Sequence, residues 1–105
     1  MFQHINIQGL NELMEAGEAL HIVDIRDPQS YAMGHITHAQ ALDNSNVQAF
    51  IENTPKQENV VVCCYHGNSS QGAAQFLFEQ GFVNVYSLDG GFEMWKLAKP
   101  EEVEP

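Results

Sequence analysis

Apolar and polar positions along the chain follow two periods, one typical of strands and one of helices. Nearly continuous apolar runs, which are expected of strands buried on both faces, occur at residues 20–25 and 60–63. Residues 83–88 predict another strand, the alternation of Ile5 and Ile7 with polar neighbours predicts a short first one, and residues 39–42 are a weak candidate. Strands are therefore expected throughout the chain.

Between these strands, apolar residues recur at helical spacing. The helices are predicted around residues 10–14, 28–33, 47–51, 73–78 and 92–95. Asn6 and the pair Asp27-Pro28 are good helix starts. The fourth helix is apolar over much of its circumference, so it is predicted to be largely buried, with Phe76 and Phe78 in the core. The alternation of strands and helices predicts an α/β fold, a parallel sheet with helices on both faces.

The length of 105 residues allows one domain with a single core. We assign residues 1–98 to this domain. Residues 99–105 are acidic, contain two prolines and have little to bury, and they are predicted to form a solvated C-terminal tail.

Charge and composition exclude several classes of function. Four basic residues stand against fourteen acidic ones, a net charge of −10, which argues against nucleic acid or an anionic membrane as partner. No apolar stretch approaches the roughly 20 residues of a membrane span, and the first residues lack the pattern of a secretory signal. The only two cysteines, Cys63 and Cys64, are adjacent in sequence and cannot form a disulfide that links distant parts of the fold. Cytoplasmic localisation is therefore expected.

Cys64 is the strongest candidate for chemistry. It ends an apolar strand and precedes a short polar loop with one glycine, Gly67, and a helix start rich in serine, Ser69 and Ser70. Residues 65–70 can supply up to six backbone amides, and amides at a helix start favour an anionic sulfur. Because the thiolate is the nucleophilic form, this setting predicts a reactive cysteine.

Spacing separates the cysteine chemistries. A phosphatase of the tyrosine type needs an arginine six positions after the cysteine, where this chain has Ser70. A dithiol redox site needs a second cysteine three positions on, where Gly67 stands. An acyl-transfer enzyme needs a histidine base, but His66 lies two residues from Cys64 on a tight loop, an unfavourable place for it. Transfer of a single sulfur atom remains. No cofactor or metal is expected.

Three motifs in order resemble the rhodanese domain. They are Cys-Tyr-His-Gly-Asn-Ser at 64–69, Val-Asp-Ile-Arg-Asp-Pro at 23–28 followed by Tyr-Ala-Met-Gly-His-Ile at 31–36, and Gly-Gly-Phe-Glu-Met-Trp at 90–95. The resemblance covers roughly residues 4–98. It implies a parallel five-stranded sheet between helices. It also implies a cysteine persulfide that is made from thiosulfate and passed to cyanide, a small thiol or a thiol acceptor such as thioredoxin.

Carried over by position, the resemblance makes Cys64 the sulfur-accepting nucleophile. It makes the following loop the substrate-binding cradle: Tyr65, His66, Gly67, Asn68 and Ser69. Two functions remain open, an enzyme that turns over thiosulfate and a carrier module that delivers persulfide sulfur to a partner protein without turnover. Aryl phosphate hydrolysis is a third, which we do not expect.

The remaining polar residues near the strand ends have structural interpretations. Side chains alternate along a strand, so Cys63 is predicted to face the core on the side opposite Cys64. For Asp24 and Arg26, pairing with each other or capping a loop is favoured over a place in the site, which the sequence also allows. For His66, anion binding and simple exposure on a loop are equally compatible with the sequence.

Overall fold

Strands and helices alternate along the chain, and the computed structural model describes all residues, 1–105. The strands are β1 (Gln3–Ile5), β2 (Leu20–Asp24), β3 (His35–Ile36), β4 (Gln40–Ala41), β5 (Asn59–Cys63), β6 (Val85–Leu88) and β7 (Val103–Glu104). The α-helices are α1 (Ile7–Glu15), α2 (Pro28–Met33), α3 (Val47–Asn53), α4 (Ser69–Glu79) and α5 (Gly91–Ala98), and a 3-10 turn follows at Pro100–Glu102.

Five strands form one sheet in the order β1-β6-β5-β2-β4, and every pairing is parallel. The predicted parallel five-stranded sheet is therefore confirmed. Asp24 stands opposite Cys63 in the register of β2 and β5, and Val62 stands opposite Ser87 in that of β5 and β6. Because parallel strands end at a common edge, Cys64 lies directly beyond the central strand at the carboxyl edge of the sheet.

The two faces of the sheet are covered by different helices. Alternate side chains of β5 divide between two cores, with Val60 and Val62 in one and Val61 and Cys63 in the other. The first core is completed from α3 and α4 by residues such as Phe50 and Leu77. The second is completed from α1 and α5 by residues such as Leu10 and Trp95. Cys63 is fully buried, as its position on the strand predicts.

The helix starts follow local sequence. The Asn6 side chain accepts a hydrogen bond from the Gly9 amide at 2.8 Å. The Asp27 side chain accepts one from the Ser30 amide at 2.8 Å, with Pro28 in the first helical position. Both predicted caps are confirmed, and the Asp27 cap sets the position of α2 beside the carboxyl edge. None of the helices is long and apolar enough to cross a membrane.

Helix α4 is less buried than its apolar sequence predicts. Its buried residues are Ser70, Ala74 and Leu77, while Phe76 is 44% exposed and Phe78 is partly buried. The prediction that Phe76 belongs to the core is therefore wrong. A single helix on the face of a sheet buries only the side that contacts the strands, and nothing in this fold covers the other side.

The C-terminal residues are ordered against the domain, so the prediction of a solvated tail at residues 99–105 is wrong. β7 pairs antiparallel with β3. The indole Nε1 of Trp95 donates to the Glu102 carbonyl at 3.0 Å, and the Thr37 amide donates to the same carbonyl at 3.1 Å. Composition predicts disorder because this segment has little to bury, but strand pairing and a fully buried indole that needs an acceptor offset the entropy of ordering it.

Deleting residues 100–105 is expected to lower the free energy of unfolding by about 2–3 kcal/mol. The deletion removes the acceptor of the buried Trp95 N–H and leaves the edge of β3 unpaired. Urea unfolding followed by tryptophan fluorescence measures the change. The matched control is Glu101→Gln, an exposed residue of the same segment, expected to change stability by less than about 0.5 kcal/mol. An unchanged midpoint after the deletion would contradict this prediction.

Candidate active site

The sulfur of Cys64 accepts hydrogen bonds from the loop that follows it. The amides of Gly67 and Ser70 each lie 3.2 Å from Sγ, and the Ser70 hydroxyl oxygen lies at the same distance. Cys64 is only 4% exposed, so these contacts replace water around the sulfur. Ser70 is the second residue of α4, and the unpaired amides of that helix start therefore point toward a sulfur that has little solvent.

These donors stabilise the thiolate form of Cys64. Burial by itself raises the pKa of a thiol, but here the hydroxyl and amide of Ser70 and the amides of Gly67 and His66 outweigh it and lower the pKa of Cys64. For Cys63, burial raises the pKa well above the ordinary range of a thiol. The adjacent cysteines thus differ, because the surroundings stabilise the thiolate of Cys64 and the neutral thiol of Cys63.

A second buried hydroxyl supports the first. Ser87 of β6 is fully buried, and its Oγ lies 2.7 Å from the Oγ of Ser70. A thiolate can only accept, so the Ser70 hydroxyl donates to the sulfur of Cys64 and the Ser87 hydroxyl donates to Ser70. Sequence analysis missed Ser87. The available signal was a hydroxyl residue inside an otherwise apolar predicted strand.

The turn between β6 and α5 packs against the loop. Gly91 has φ +60°, and a Cβ there would lie 2.6 Å from the Cys64 carbonyl oxygen and 2.5 Å from that of Tyr65, so no other residue fits without moving the loop. The amides of Phe92 and Glu93 donate to these same carbonyls at 2.8 and 3.0 Å. With the carbonyls held by α5, the loop presents amides rather than carbonyls to the sulfur.

Asp24 and Arg26 form a buried pair beside the loop, as the sequence predicts. Nη2 of Arg26 lies 2.7 Å from Oδ2 of Asp24 and donates to the Gly34 carbonyl at 2.7 Å, and both side chains are almost fully buried. The guanidinium carbon also lies 4.1 Å from the centroid of the Phe92 ring. Nε and Nη2 of Arg26 are thus held by Asp24 and the Gly34 carbonyl, which commits most of the guanidinium to structural contacts rather than to an anion.

The other predicted loop residues surround Cys64 at the surface. Tyr65, His66, Asn68 and Ser69 are exposed and Gly67 is buried with φ +92°. The side chain of His66 makes no hydrogen bond to the sulfur, so the structure does not bring it to Cys64 as a base.

The Tyr65 side chain ties the loop to α2, a contact that sequence analysis missed. Its hydroxyl donates to Asp27 and lies 2.9 Å from the Oγ of Ser30. The hydrogen bond from Tyr65 is the main cause of the pKa of Asp27 being lowered to about 2, and those from Ser30 add to it. This carboxylate is therefore ionised at any physiological pH. The helix cap of α2 thereby also holds the loop.

Ser70→Ala is expected to shift the reactivity of Cys64 toward higher pH. The hydroxyl stabilises the ionised sulfur more than the thiol, so its loss raises the pKa of Cys64, while reactivity far above both pKa values stays the same. The rate of alkylation by iodoacetamide as a function of pH measures this midpoint. Ser87→Ala is expected to give a smaller shift in the same direction, and Ser45→Ala, an exposed serine of the loop after β4, should give none. A midpoint unchanged in Ser70→Ala would contradict the assigned hydrogen bond.

A cysteine whose sulfur is contacted by loop amides, at the carboxyl edge of a parallel five-stranded sheet, is the arrangement that the resemblance implies. The family model of the rhodanese-like domain matches residues 6–98, so the chain belongs to the rhodanese-like family.

Relatives and solved structures agree with this assignment. A protein named thiosulfate sulfurtransferase GlpE from Pseudoalteromonas translucida (strain TAC 125) is 48% identical over 103 residues, 98% of this chain and 97% of that protein. One of the same name from Pseudomonas entomophila (strain L48) is 59% identical over 81 residues, 77% of this chain and 74% of that protein. The solution structure of the rhodanese-like domain of the Anabaena sp. Alr3790 protein superposes with a TM-score of 0.84 at 28% identity, covering 99% of this chain and 80% of that one.

Proposed function

We propose that the chain is a thiosulfate sulfurtransferase that works by double displacement through a persulfide on Cys64. The observation that carries the proposal is the set of three donors at 3.2 Å around a buried Cys64 sulfur, which favour its thiolate. The relatives that cover most of the chain bear the name of this activity. The position of a phosphate-clamping arginine is taken by Ser70, whose side chain points to the sulfur and to Ser87 instead.

In the first displacement, the thiolate of Cys64 attacks the outer sulfur of thiosulfate. The bond between the two thiosulfate sulfurs breaks, its electron pair leaves with sulfite, and the outer sulfur stays on Cys64 as a persulfide. In the second, a nucleophilic acceptor attacks that outer sulfur, and the electron pair of the S–S bond returns to Cys64. Neither step needs a general base, because Cys64 enters and leaves the cycle as the thiolate stabilised by Gly67 and Ser70.

The loop residues Tyr65, His66, Gly67, Asn68 and Ser69 are the proposed substrate-binding set. The amides of Tyr65, Asn68 and Ser69 have no hydrogen-bond partner within the chain, which leaves them available to an anion. Amides are needed here, because the net charge is −10 and Arg26 is already paired. His66 is the only side chain of the loop that carries a positive charge when it is protonated.

Cyanide, small thiols and thioredoxin are the proposed acceptors. The reducing cytoplasm is the proposed location, because the persulfide cycle depends on a free thiolate.

An alternative is a carrier that loads once and delivers sulfur to a partner without turnover. The strongly acidic chain and the absence of lysine or arginine from residues 64–70 favour this alternative, since both disfavour repeated capture of an anionic donor.

Intact mass spectrometry after incubation with thiosulfate tests the proposal. We expect an adduct of one sulfur atom on the native chain, its disappearance on addition of cyanide, and continuous formation of thiocyanate when both reagents are present. Loading without continuous turnover would support the carrier instead. A chain that forms no sulfur adduct would refute both functions.

A further inference from the structure

An apolar groove lies beside the candidate active site, on the face of the sheet that α3 and α4 cover. Its volume is about 410 Å³. Six of its eight lining residues are apolar: Ile25, Leu42, Val47, Ala73, Phe76 and Leu77. Phe76, which is 44% exposed, forms part of its wall. A partner that fills this groove would bury the exposed part of the Phe76 ring, and removing that apolar surface from water favours binding.

The groove begins close to the reactive sulfur. The amide of Ile25 donates to the Cys63 carbonyl at 3.0 Å, so this end of the groove adjoins the end of β5. Along α4, Ala73 and Phe76 follow Ser70, which contacts the Cys64 sulfur, by three and six residues. At 1.5 Å of rise per residue these separations are roughly 4.5 and 9 Å. Because this is the separation along the helix axis only, a molecule that reaches both Cys64 and Phe76 must span at least roughly 9 Å.

An extended peptide has this reach, because two to three residues cover roughly 7–10 Å. A small thiol with one short arm does not span the distance between the sulfur and Phe76. A second copy of this chain is disfavoured as the occupant, because two molecules of net charge −10 repel each other. Length and charge thus favour a segment of another protein.

The rim of the groove carries a negative charge. Asp43 lines it, and hydrogen bonds from the Ser45 hydroxyl and from the Ser45 and Asn46 amides lower the pKa of Asp43, which keeps the carboxylate ionised at neutral pH. The other polar lining residue, Asn44, is uncharged. A basic side chain on the partner is the complement of this rim.

We propose that this groove docks a sulfur-accepting protein, which places its cysteine at Cys64, an apolar side chain two or three residues away against Phe76, and a basic side chain beside Asp43. The inference rests on the proposed function, because it names the acceptor of the same persulfide. The acceptor thiol releases its proton to solvent, and its thiolate attacks the outer sulfur. The persulfide S–S bond breaks, its electron pair returns to Cys64, and the acceptor leaves as a persulfide.

Two synthetic peptides test the groove on the persulfide-loaded chain. Acetyl-Cys-Gly-Ser-Phe-Lys-amide and acetyl-Cys-Gly-Ser-Ser-Lys-amide differ only in the apolar side chain. Loss of sulfur from the protein, followed by intact mass in a single turnover, is expected to be roughly 10-fold faster with the phenylalanine peptide. Phe76→Ser should remove this preference. Val83→Ser should retain it. Val83 is 59% exposed and precedes β6, at the amino ends of the parallel strands and so away from the carboxyl edge where Cys64 lies.

The charge on the rim is tested separately. A third peptide, acetyl-Cys-Gly-Ser-Phe-Gln-amide, replaces the lysine by glutamine. At low ionic strength, Asp43→Asn is expected to slow transfer to acetyl-Cys-Gly-Ser-Phe-Lys-amide but not to this glutamine peptide. The difference should disappear at 1 M salt, where the screening length is about 3 Å. The isosteric amide retains an oxygen that can accept the Ser45 hydrogen bond.

Equal rates for the two peptides, or a preference that survives Phe76→Ser, would overturn the inference while leaving the proposed function intact. A Phe76-dependent preference for 2-phenylethanethiol over 2-mercaptoethanol, with no effect of Asp43→Asn, would overturn it in favour of a small thiol. A dimer that dissociates in Phe76→Ser would overturn it in favour of a second copy. If the native chain takes up no sulfur from thiosulfate, the proposed function fails first, and the inference falls with it.

Discussion

Cys64→Ser is expected to take up no sulfur from thiosulfate and to lose turnover with cyanide by roughly 1,000-fold or more. A serine hydroxyl stays protonated at neutral pH, and it cannot form the sulfur–sulfur bond in which the transferred atom is held. The donors around Cys64, the amides of Gly67 and Ser70, would still be in place, so the loss isolates the role of the sulfur from that of the loop. Intact mass after incubation with thiosulfate, together with the rate of thiocyanate formation, measures both effects.

The neighbouring cysteine supplies the matched control. Cys63 is fully buried in the second core, and its Sγ donates a hydrogen bond to the Cys64 carbonyl oxygen at 3.5 Å. Cys63→Ala is expected to cost about 1 kcal/mol of stability for the small cavity and to keep the one-sulfur adduct. An adduct that persists in Cys64→Ser and disappears in Cys63→Ala would show that Cys63 carries the sulfur, which would refute the mechanism.

The largest effect on stability is expected from breaking the buried pair of Asp24 and Arg26. Asp24→Ala leaves the guanidinium of Arg26 buried without its carboxylate and also removes the acceptor of the Arg26 amide, which lies 2.9 Å from Oδ1 of Asp24. Breaking a buried ion pair from one side typically costs about 3–5 kcal/mol. That is a large share of the roughly 5–15 kcal/mol that stabilises a domain of ordinary size. Urea unfolding measures the change in free energy.

Two further variants make this result interpretable if Asp24→Ala does not fold. Arg26→Lys keeps the charge but loses the two-nitrogen contact with Asp24 and the bond to Gly34, so an intermediate loss is expected. Lys96→Ala breaks the exposed pair with Glu93, whose N–O distance is 2.8 Å, and should change stability by no more than about 0.5 kcal/mol. Equal losses for Arg26→Lys and Lys96→Ala would show that burial does not make the first pair important.

Local signals predicted the regular part of the fold. The unbroken apolar run before Cys64 indicated a strand buried on both faces, and β5 is the central strand with both of its faces in a core. Asn6 and Asp27 start helices because a side-chain oxygen two or three residues upstream is enough to satisfy the first amides. The wrong predictions concern exposure and order, for Phe76 and for residues 99–105. Both depend on what a segment packs against, which composition and periodicity do not contain.

The same distinction between local sequence signals and tertiary packing holds for the candidate site. Sequence by itself determined the nucleophile candidate Cys64, the loop that follows it and the absence of an arginine at position 70, because these features are contiguous in the chain. Tertiary structure alone decided that Ser87 supports Ser70, that α5 holds the loop carbonyls through Phe92, and that Phe76 lines an apolar groove. These contacts join residues far apart in sequence, and only the packing of parallel strands and their helices at one edge of the sheet brings them within hydrogen-bonding distance.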